Sequence, residues 1–437
     1  MLNTENLTGK LLLQGGKAYL PETNTIEKRD FLLQDGNLVG MEKNIEPSDG
    51  MTIMDCDGKV ISPGFTDIHV HFREPGYEHK ETLKTGSEAA IAGGFTTVCC
   101  MPNTDPAIDT QESVRFIRQR QEELLVEIYP VAAATKKREG KEITEYSEIA
   151  KAGAVGFTDD GSPIIKSGVM RKVLEYAKIV DLPVMQHAED PELKGKGLMH
   201  ESKVSTALGL PGVPGISETT MVHRDIQIAD YVGARLHIQH VSMAGSVELI
   251  RQAKERGVKV TAEATPHHLM LTDEAVRTFD TSTKVNPPLR SRKDVDALRT
   301  GVADGTIDVI ATDHAPHSLE EKEQPFDLAP SGMIGLESAL GVVVKALVAS
   351  KITSLENLLS RMVIEPRRIM QLPEDFYILN DSANLTVFDP EEEWVFKREH
   401  VKSRAKNSPF YGAQMQGRIK AVISRSEMAN FGLKKQS

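Results

Sequence analysis

The chain has few of the residues that point to secretion, to membranes or to nucleic acid. Only three cysteines occur in 437 residues. Two of them, Cys99 and Cys100, are adjacent inside an apolar run, where we expect small buried hydrophobes and not a disulfide framework. The 52 lysines and arginines are outnumbered by 63 aspartates and glutamates, so a net charge of -11 gives no basic surface for nucleic acid or an anionic membrane. The partner is therefore predicted to be a small molecule.

Long hydrophobic runs and a targeting segment are also missing. The longest apolar stretch, residues 339–348, contains Lys345 and is too short to cross a bilayer. The first residues lack the cationic start and apolar core of a secretory signal. We therefore expect a soluble protein of a reducing compartment, the cytoplasm.

Short apolar runs alternate with amphipathic helical stretches from residue 64 to about residue 313, a pattern typical of parallel strands joined by crossover helices. Eight such runs occur: residues 65–70, 95–101, 128–133, 154–158, 182–186, 235–239, 258–262 and 308–311. Eight strands over about 250 residues predict an α/β fold closed into a (β/α)8 TIM-type barrel.

The two ends of the chain have a different character. Residues 8–61 are typical of short alternating strands separated by tight turns, and residues 384–388 and 418–424 resume this pattern. We predict that residues 1–61 and 381–437 form one composite β-sandwich domain. Residues 62–380 are predicted to form the (β/α)8 barrel.

Polar side chains end most of the predicted barrel strands, at the edge where barrel enzymes carry their active sites. His69 and His71 end the first run in a His-x-His pattern, which points both imidazoles off one face of a strand. Further candidates end other runs: Asp159 and Asp160, His187, His240, and Asp313. Four histidines and two carboxylates at neighbouring strand ends predict a two-metal site. Zinc suits so many nitrogen ligands, and Mn²⁺ or Co²⁺ could substitute.

Some polar residues stay ambiguous from sequence alone. Spacing does not decide whether Asp159 or Asp160 points into the barrel. His267 and His268 fit either direct chemistry or a supporting structural role. His237 is expected on the opposite strand face from His240, and His314 is expected to face away from the site.

Six motifs, in order along the chain, resemble dihydroorotases, specifically the longer, class I bacterial type of the cyclic amidohydrolases. They are residues 63–76 (PGFTDIHVHFREPG), 101–104 (MPNT), 157–161 (FTDDG), 240–242 (HVS), 311–317 (ATDHAPH) and 384–389 (NLTVFD). The resemblance covers nearly the whole chain. It implies reversible interconversion of (S)-dihydroorotate and N-carbamoyl-L-aspartate, a step of de novo pyrimidine synthesis.

The resemblance also implies a role for individual residues. One or two Zn²⁺ ions per subunit would be held by His69, His71, Asp160, His187, His240 and Asp313. Asp160 takes the bridging place that many relatives give to a carboxylated lysine. Asp313 would act as general base and then as general acid while hydroxide attacks the ring amide.

A second group of residues is predicted to bind the substrate. Arg73 offers a planar fork of donors suited to the ring carboxylate, and the resemblance adds Asn103, Asn286 and His317 as further contacts. The loop that contains Pro330 and Gly332 is expected to approach the ring through its backbone.

Other functions remain open at this point. A hydantoinase, dihydropyrimidinase or allantoinase would share the barrel and the His-x-His pattern, but these families normally carry the lysine bridge and lack the set Arg73, Asn103 and His317. A third possibility is a non-catalytic dihydroorotase-like scaffold that supports, for example, aspartate transcarbamoylase. Such scaffolds have typically lost metal ligands, whereas every ligand position is occupied by a suitable residue here. The resemblance also suggests a homodimer.

Overall fold

Strands and helices alternate along the computed structural model, which describes residues 2–436. The strands are Glu5–Asn6, Lys10–Gln14, Lys17–Leu20, Thr25–Lys28, Asp30–Gln34, Asn37–Glu42, Met51–Asp55, Val60–Pro63, Phe65–Val70, Phe95–Cys100, Glu127–Pro130, Val184–Gln186, Met199–His200, Gly212–Val213, Leu236–Ile238, Val260–Ala264, Val309–Ile310, Asp381–Ser382, Leu385–Val395, Gln414–Ser424, Glu427–Asn430 and Lys434–Lys435. The α-helices are Leu83–Ala92, Gln111–Arg120, Tyr146–Lys151, Ser167–Ile179, Pro191–Lys194, Lys203–Leu208, Ile216–Val232, Ala244–Glu255, Pro266–Met270, Arg292–Asp304, Leu319–Lys322, Ala339–Val343, Leu355–Val363 and Glu365–Met370. Within residues 2–436, none of them is long and apolar enough to cross a membrane.

A closed ring of parallel strands occupies the middle of the chain. Seven strands pair in two parallel runs: Phe65–Val70, Phe95–Cys100 and Glu127–Pro130, then Val184–Gln186, Leu236–Ile238, Val260–Ala264 and Val309–Ile310. Single bridges from Phe157 to Ala132 and to Val184 supply the eighth segment between the two runs. A bridge from Val70 to His314 closes the ring, and the predicted (β/α)8 barrel is confirmed.

The fourth predicted strand, residues 154–158, is reduced to those single bridges. Gly153 and Gly156 flank or interrupt this short run, and glycine weakens strand pairing because it gives the sheet no side chain to pack. The segment nevertheless keeps its place in the ring, so the residues that follow it reach the same edge as the other strand ends.

Adjacent residues of a barrel strand point to opposite faces, and the cysteine pair shows this. Cys99 packs with Ile68 and Met185 in one core cluster, whereas Cys100 belongs to the larger cluster that includes the surrounding helices. Both thiols are free and buried, as expected for small hydrophobes.

Two sheets outside the barrel combine both ends of the chain. In one, Leu385–Val395 lies between Val60–Pro63 and Gln414–Ser424. In the other, Lys434–Lys435 pairs with Met51–Asp55. A shared core includes Leu13 and Phe31 from the first part of the chain and Leu385 and Ile423 from the last part. This is the expected β-sandwich, while the exact domain boundaries at residues 61/62 and 380/381 stay a prediction.

A stretch between the two longest C-terminal strands returns to the barrel. Val401 and Phe410 pack against Val285 and Met333 in a separate core cluster. Part of the predicted composite domain therefore supports the loops beside the C-terminal ends of the barrel strands.

Candidate metal centre and substrate cavity

Six predicted ligands meet at the C-terminal edge of the barrel, and all of them are buried. His69 lies in Phe65–Val70 and His71 follows it, while the others come after later strands or bridges: Asp160, His187, His240 and Asp313. Two overlapping triads form, in each of which the ligand atoms lie within 4.8 Å of one another: His69, His71 and Asp160, then Asp160, His187 and His240.

Asp160 lies between the two histidine pairs and turns one oxygen to each. Its Oδ2 is 3.5 Å from His69 Nε2 and 3.4 Å from His71 Nε2. Its Oδ1 is 3.6 Å from His240 Nε2 and 3.8 Å from His187 Nδ1. The geometry is that of a carboxylate able to bridge two cations.

Asp159, the alternative left open by the sequence, is held elsewhere. It accepts a hydrogen bond from the backbone N–H of Thr135 at 2.9 Å and another from the hydroxyl of the same residue. Burial raises the pKa of Asp159 to about 6, against the lowering effect of these hydrogen bonds. The structure therefore places Asp160, and not Asp159, in the cluster.

Asp313 lies on the His69–His71 side of the cluster. Its Oδ1 is 2.9 Å from His71 Nε2 and 3.5 Å from His69 Nε2. Its backbone has φ of 47°, and Arg73 and His240 also have positive φ, at 63° and 33°. Non-glycine residues in this region carry backbone strain of about 1–3 kcal/mol each, a feature concentrated at functional sites.

The two aspartates of the cluster are negatively charged, which favours the binding of cations. Burial by itself raises the pKa of Asp160, but His69 and His240 outweigh it and hold that pKa well below the usual range. Burial is likewise outweighed at Asp313, whose pKa is lowered mainly by His69 and His71. His69 Nε2 and Asp160 Oδ1 are buried without a hydrogen-bond partner among residues 2–436. A divalent metal ion would satisfy both atoms, and this donor set is the kind that zinc prefers.

Glu263 supports the cluster and was missed from the sequence. It accepts hydrogen bonds from His69 Nδ1, from His237 Nε2 at 3.1 Å and from the backbone N–H of His240 at 3.1 Å. His69 is thereby held with Nε2 directed to the cluster. The signal was present, because an acidic residue directly follows the apolar run 258–262 inside a barrel strand.

The expected orientation of His237 is wrong. Its ring meets Glu263, the same carboxylate that binds His69, and so lies on the cluster's side of the strand. Alternation fails because the strand Leu236–Ile238 ends before His240, whose φ of 33° redirects the chain.

The other histidines near the site differ in their contacts. Both ring nitrogens of His268 are bonded, to Thr265 Oγ1 at 2.8 Å and to the Pro287 carbonyl at 3.0 Å, which indicates a structural role. His267 is buried, and burial lowers its pKa to about 4. His314 faces Glu81, away from the cluster, as expected.

A cavity of about 260 Å³ opens onto the cluster. Its walls include five of the predicted substrate contacts, together with a neighbouring loop residue: Arg73, Asn103, Asn286, His317, Gly332 and Ser331. Pro330 does not line it, and Ser331 takes its place; the Pro330 carbonyl accepts from Lys322 Nζ at 2.8 Å.

Two polar walls of the cavity are tied to the histidines. Asn103 Oδ1 accepts a hydrogen bond from His71 Nδ1 at 2.7 Å. Asn286 Nδ2 lies 3.2 Å from His187 Nε2, and its Oδ1 accepts from Lys194 Nζ at 3.0 Å. Arg73 Nε donates to the Pro316 carbonyl at 3.2 Å, and within residues 2–436 its guanidinium forms no ion pair.

A closed barrel that carries a histidine and aspartate cluster at one edge, joined to sheets from both chain ends, defines a structural class that includes hydantoinases and dihydropyrimidinases. The L-hydantoinase (dihydropyrimidinase) from Arthrobacter aurescens has a TM-score of 0.84 at 22% identity, over 99% of this chain and 98% of that one. Dihydropyrimidinase from Brevibacillus agri has a TM-score of 0.81 at 20% identity, over 98% and 96%. At such identities the likeness concerns the fold.

Sequence comparison narrows this class to one family. Residues 58–246 match the family model described as dihydro-orotase-like. The dihydroorotase of Caldanaerobacter subterraneus subsp. tengcongensis is 46% identical over 403 residues, which are 92% of this chain and 93% of that protein. The dihydroorotase of Pelotomaculum thermopropionicum is also 46% identical, over 95% of this chain and 97% of its own length. The chain belongs to the dihydroorotase family.

Proposed function

We propose that this protein catalyses the reversible hydrolysis of (S)-dihydroorotate to N-carbamoyl-L-aspartate, in pyrimidine synthesis. The observation that carries the proposal is Arg73, an unpaired guanidinium in the same cavity as Asp313 and the histidine cluster. A ring carboxylate distinguishes dihydroorotate from the rings of hydantoin, dihydrouracil and allantoin. A guanidinium binds a carboxylate through two parallel hydrogen bonds, so this cavity favours the anionic ring.

The six clustered side chains are proposed to hold one or two Zn²⁺ ions per subunit, with Mn²⁺ or Co²⁺ as substitutes. His69, His71 and Asp313 would bind one ion, His187 and His240 the other, and Asp160 both. When bound, the metal supplies hydroxide at neutral pH, because it lowers the pKa of water towards about 7, and it polarises the ring carbonyl.

Asp313 is proposed as the residue that moves the proton. Its carboxylate reaches the cavity and lies on the His69–His71 side, beside the attacked carbonyl in this assignment. It accepts the proton of the attacking water and returns it to the ring nitrogen as the amide C–N bond breaks. The reverse proton transfers serve ring closure.

The cavity walls are proposed to orient the ring. Arg73 binds the carboxylate, with Asn103 and Asn286 as polar contacts. Burial, and then the charge of Arg73, lower the pKa of His317, so its imidazole is neutral at physiological pH. His317 therefore contributes a hydrogen bond and no charge. Ser331 and Gly332 would meet the ring beside His317, whose Nε2 lies 2.9 Å from the Ser331 carbonyl.

The cellular setting and the assembly are further parts of the proposal. Three free, buried thiols agree with a reducing compartment, and we propose the cytoplasm. A homodimer, and association with aspartate transcarbamoylase, are proposed from the family resemblance. Light scattering with and without purified transcarbamoylase tests both.

Steady-state turnover of dihydroorotate, measured beside hydantoin, dihydrouracil and allantoin, tests the function. We expect a strong preference for dihydroorotate, lost on treatment with a chelator and restored by zinc. Preference for an uncharged ring would make the protein a different cyclic amidase. Inactivity at full zinc occupancy would favour the non-catalytic scaffold.

A further inference from the structure

The cavity wall formed by Ser331 and Gly332 belongs to a segment without regular structure. Residues 326–332 form no helix and no strand, so no ladder of backbone hydrogen bonds fixes them. Three of their N–H groups bond to other backbone groups, those of Leu328 and Ala329 to Pro325 and that of Gly332 to Lys284. The position of this wall therefore also depends on the side-chain contacts of the carbonyl groups.

Lys284 binds the first half of this segment. Its Nζ donates to the carbonyl groups of Phe326 at 2.7 Å, Asp327 at 3.1 Å and Ala329 at 2.7 Å. Its own carbonyl accepts from the backbone N–H of Gly332 at 2.8 Å. One lysine thus bonds to the segment at both ends.

Lys322 binds the second half. It ends the helix Leu319–Lys322, and its Nζ donates to the carbonyl groups of Pro330 at 2.8 Å and Gly332 at 3.0 Å. Each ammonium group therefore serves two or three carbonyl oxygens, which only a group with several N–H donors can do.

Neither ammonium group has an acidic partner. Within residues 2–436, no carboxylate forms an ion pair with Lys284 or Lys322, although both residues are buried. Buried charges are normally paired because desolvation is costly. Here the carbonyl groups of residues 326–332 accept the N–H donors in place of carboxylates, while burial lowers the pKa of Lys322 to about 7.

Two further side chains complete the set of donors. His317 Nε2 meets the Ser331 carbonyl at 2.9 Å, and Asn407 Nδ2 donates to the Gly332 carbonyl at 3.1 Å. The carbonyl groups next to the cavity are therefore all engaged by side chains. We propose that Lys284 and Lys322 are positioning residues, whose ammonium groups fix residues 326–332 so that Ser331 and Gly332 meet the bound ring. This role rests on the function proposed above for the cavity.

The proposal separates substrate affinity from chemistry. Neither lysine lines the cavity, and Asp313 makes its close contacts with histidines of the cluster. Loss of the Lys322 charge should therefore raise the KM for dihydroorotate by about tenfold, the equivalent of one charge-assisted hydrogen bond, and change kcat much less.

Chemical rescue tests whether the charge is responsible. We expect Lys322→Ala and Lys322→Met to raise KM alike, and added propylammonium to restore much of the affinity of Lys322→Ala, while propanol does not. Lys345→Ala is the matched control, because Lys345 Nζ also donates to a backbone carbonyl, that of Gln414, at 2.6 Å but away from the cavity. Normal KM in Lys322→Met, or equal rescue by propanol, would assign the role to the aliphatic stem and overturn the proposal.

Hydrogen–deuterium exchange of residues 323–335, without substrate, gives a readout that does not depend on the reaction. We expect faster exchange in Lys322→Met than in wild type, and unchanged exchange contradicts the proposal. Should both Lys322 variants fail to fold, Lys322→Gln keeps an amide donor at the same place, and a wild-type KM in it also overturns the role. Absence of dihydroorotate turnover in the wild type would refute the proposed function, while the exchange experiment would still decide the anchoring.

Discussion

The two histidine pairs beside Asp160 are supported in different ways. His69 and His71 come from one strand and its extension, and the Nδ1 of each donates to a side-chain oxygen, of Glu263 and of Asn103. The Nε2 atom of each ring is thereby turned to Asp160, at 3.5 Å for His69 and 3.4 Å for His71. This side therefore already has the ring orientations that metal binding requires.

His187 and His240 come from two different strands and contact each other. His187 Nδ1 lies 2.8 Å from His240 Nε2, so the two rings form a hydrogen bond with each other. Asn286 Nδ2 lies 3.2 Å from His187 Nε2, a donor that favours the proton on Nδ1, the nitrogen nearer to Asp160. A metal ion held by both histidines would replace the hydrogen bond between them.

The comparison shows that the barrel edge carries two different metal-binding halves. The His69–His71 side is preorganised, and the His187–His240 side must rearrange to bind a metal ion. The first half depends on a carboxylate in a barrel strand, and the second depends on loop residues. Histidine ligands of the same type can thus differ in how far they must rearrange before they bind a metal ion. We expect tighter metal binding by His69 and His71 than by His187 and His240.

The largest effect is expected from Asp313→Asn, on the preorganised side. An amide cannot accept the proton, so kcat should fall by about 10²–10⁴-fold, while the protein stays folded and keeps metal. Steady-state kinetics and metal analysis check this. Asp308→Asn is the matched control, since Asp308 precedes the same strand and pairs with Lys254 at 2.6 Å, away from the cluster. A near-normal kcat in Asp313→Asn would rule out its role.

Arg73→Met should come next in size and should leave both metal positions intact. Loss of a charge-assisted pair with the ring carboxylate should raise the KM for dihydroorotate by about 10- to 100-fold. Metal content by mass spectrometry should not change. An unchanged KM would mean that the carboxylate binds elsewhere, and lost metal would place Arg73 in the support of the cluster.

A matched pair of variants tests the two halves directly. Glu263→Gln should weaken metal binding by about 10- to 100-fold, because His69 loses the carboxylate that orients it. Glu189→Gln should have a smaller effect, because Glu189 lies 3.7 Å from His187 Nε2 and is held at 2.8 Å by Lys194. Competition with a chromogenic chelator measures both. Equal effects would remove the distinction between the halves.

The smallest expected effect is a difference in the rate of metal release between the His69–His71 side and the His187–His240 side of the wild-type protein. A gentle chelator should remove metal in two phases, the faster from the His187–His240 side. His240→Ala should eliminate the faster phase and retain the slower one. A single phase in the wild type, or loss of the slow phase in His240→Ala, would reverse the assignment.

The strand-end ligands followed from sequence because a closed parallel barrel brings all C-terminal strand ends to one edge. His187, for example, needed only an apolar run before it. The choice between Asp159 and Asp160 did not follow, because it depends on Thr135, 24 residues away from Asp159. Spacing within one motif carries no information about such a partner.

Supporting residues were harder to predict for the same reason. Glu263 and His69 are 194 residues apart, and Lys284 binds carbonyl groups more than 40 residues further along. Lys322 binds the carbonyl groups of Pro330 and Gly332, a contact that no local pattern indicates. Contacts between a side chain and a distant backbone are specified only by the complete fold.

The sheets built from both chain ends limit how early the β-sandwich can fold during synthesis. Val60–Pro63 pairs with Leu385–Val395, which leaves the ribosome about 320 residues later. At roughly 5–20 residues per second, this partner arrives about 15–60 s after the first strand. Until then, the edge of Val60–Pro63 that pairs with Leu385–Val395 has no partner strand. Chaperones that shield nascent β-strands would therefore act on the first sixty residues, and truncation of the last strands would harm the first.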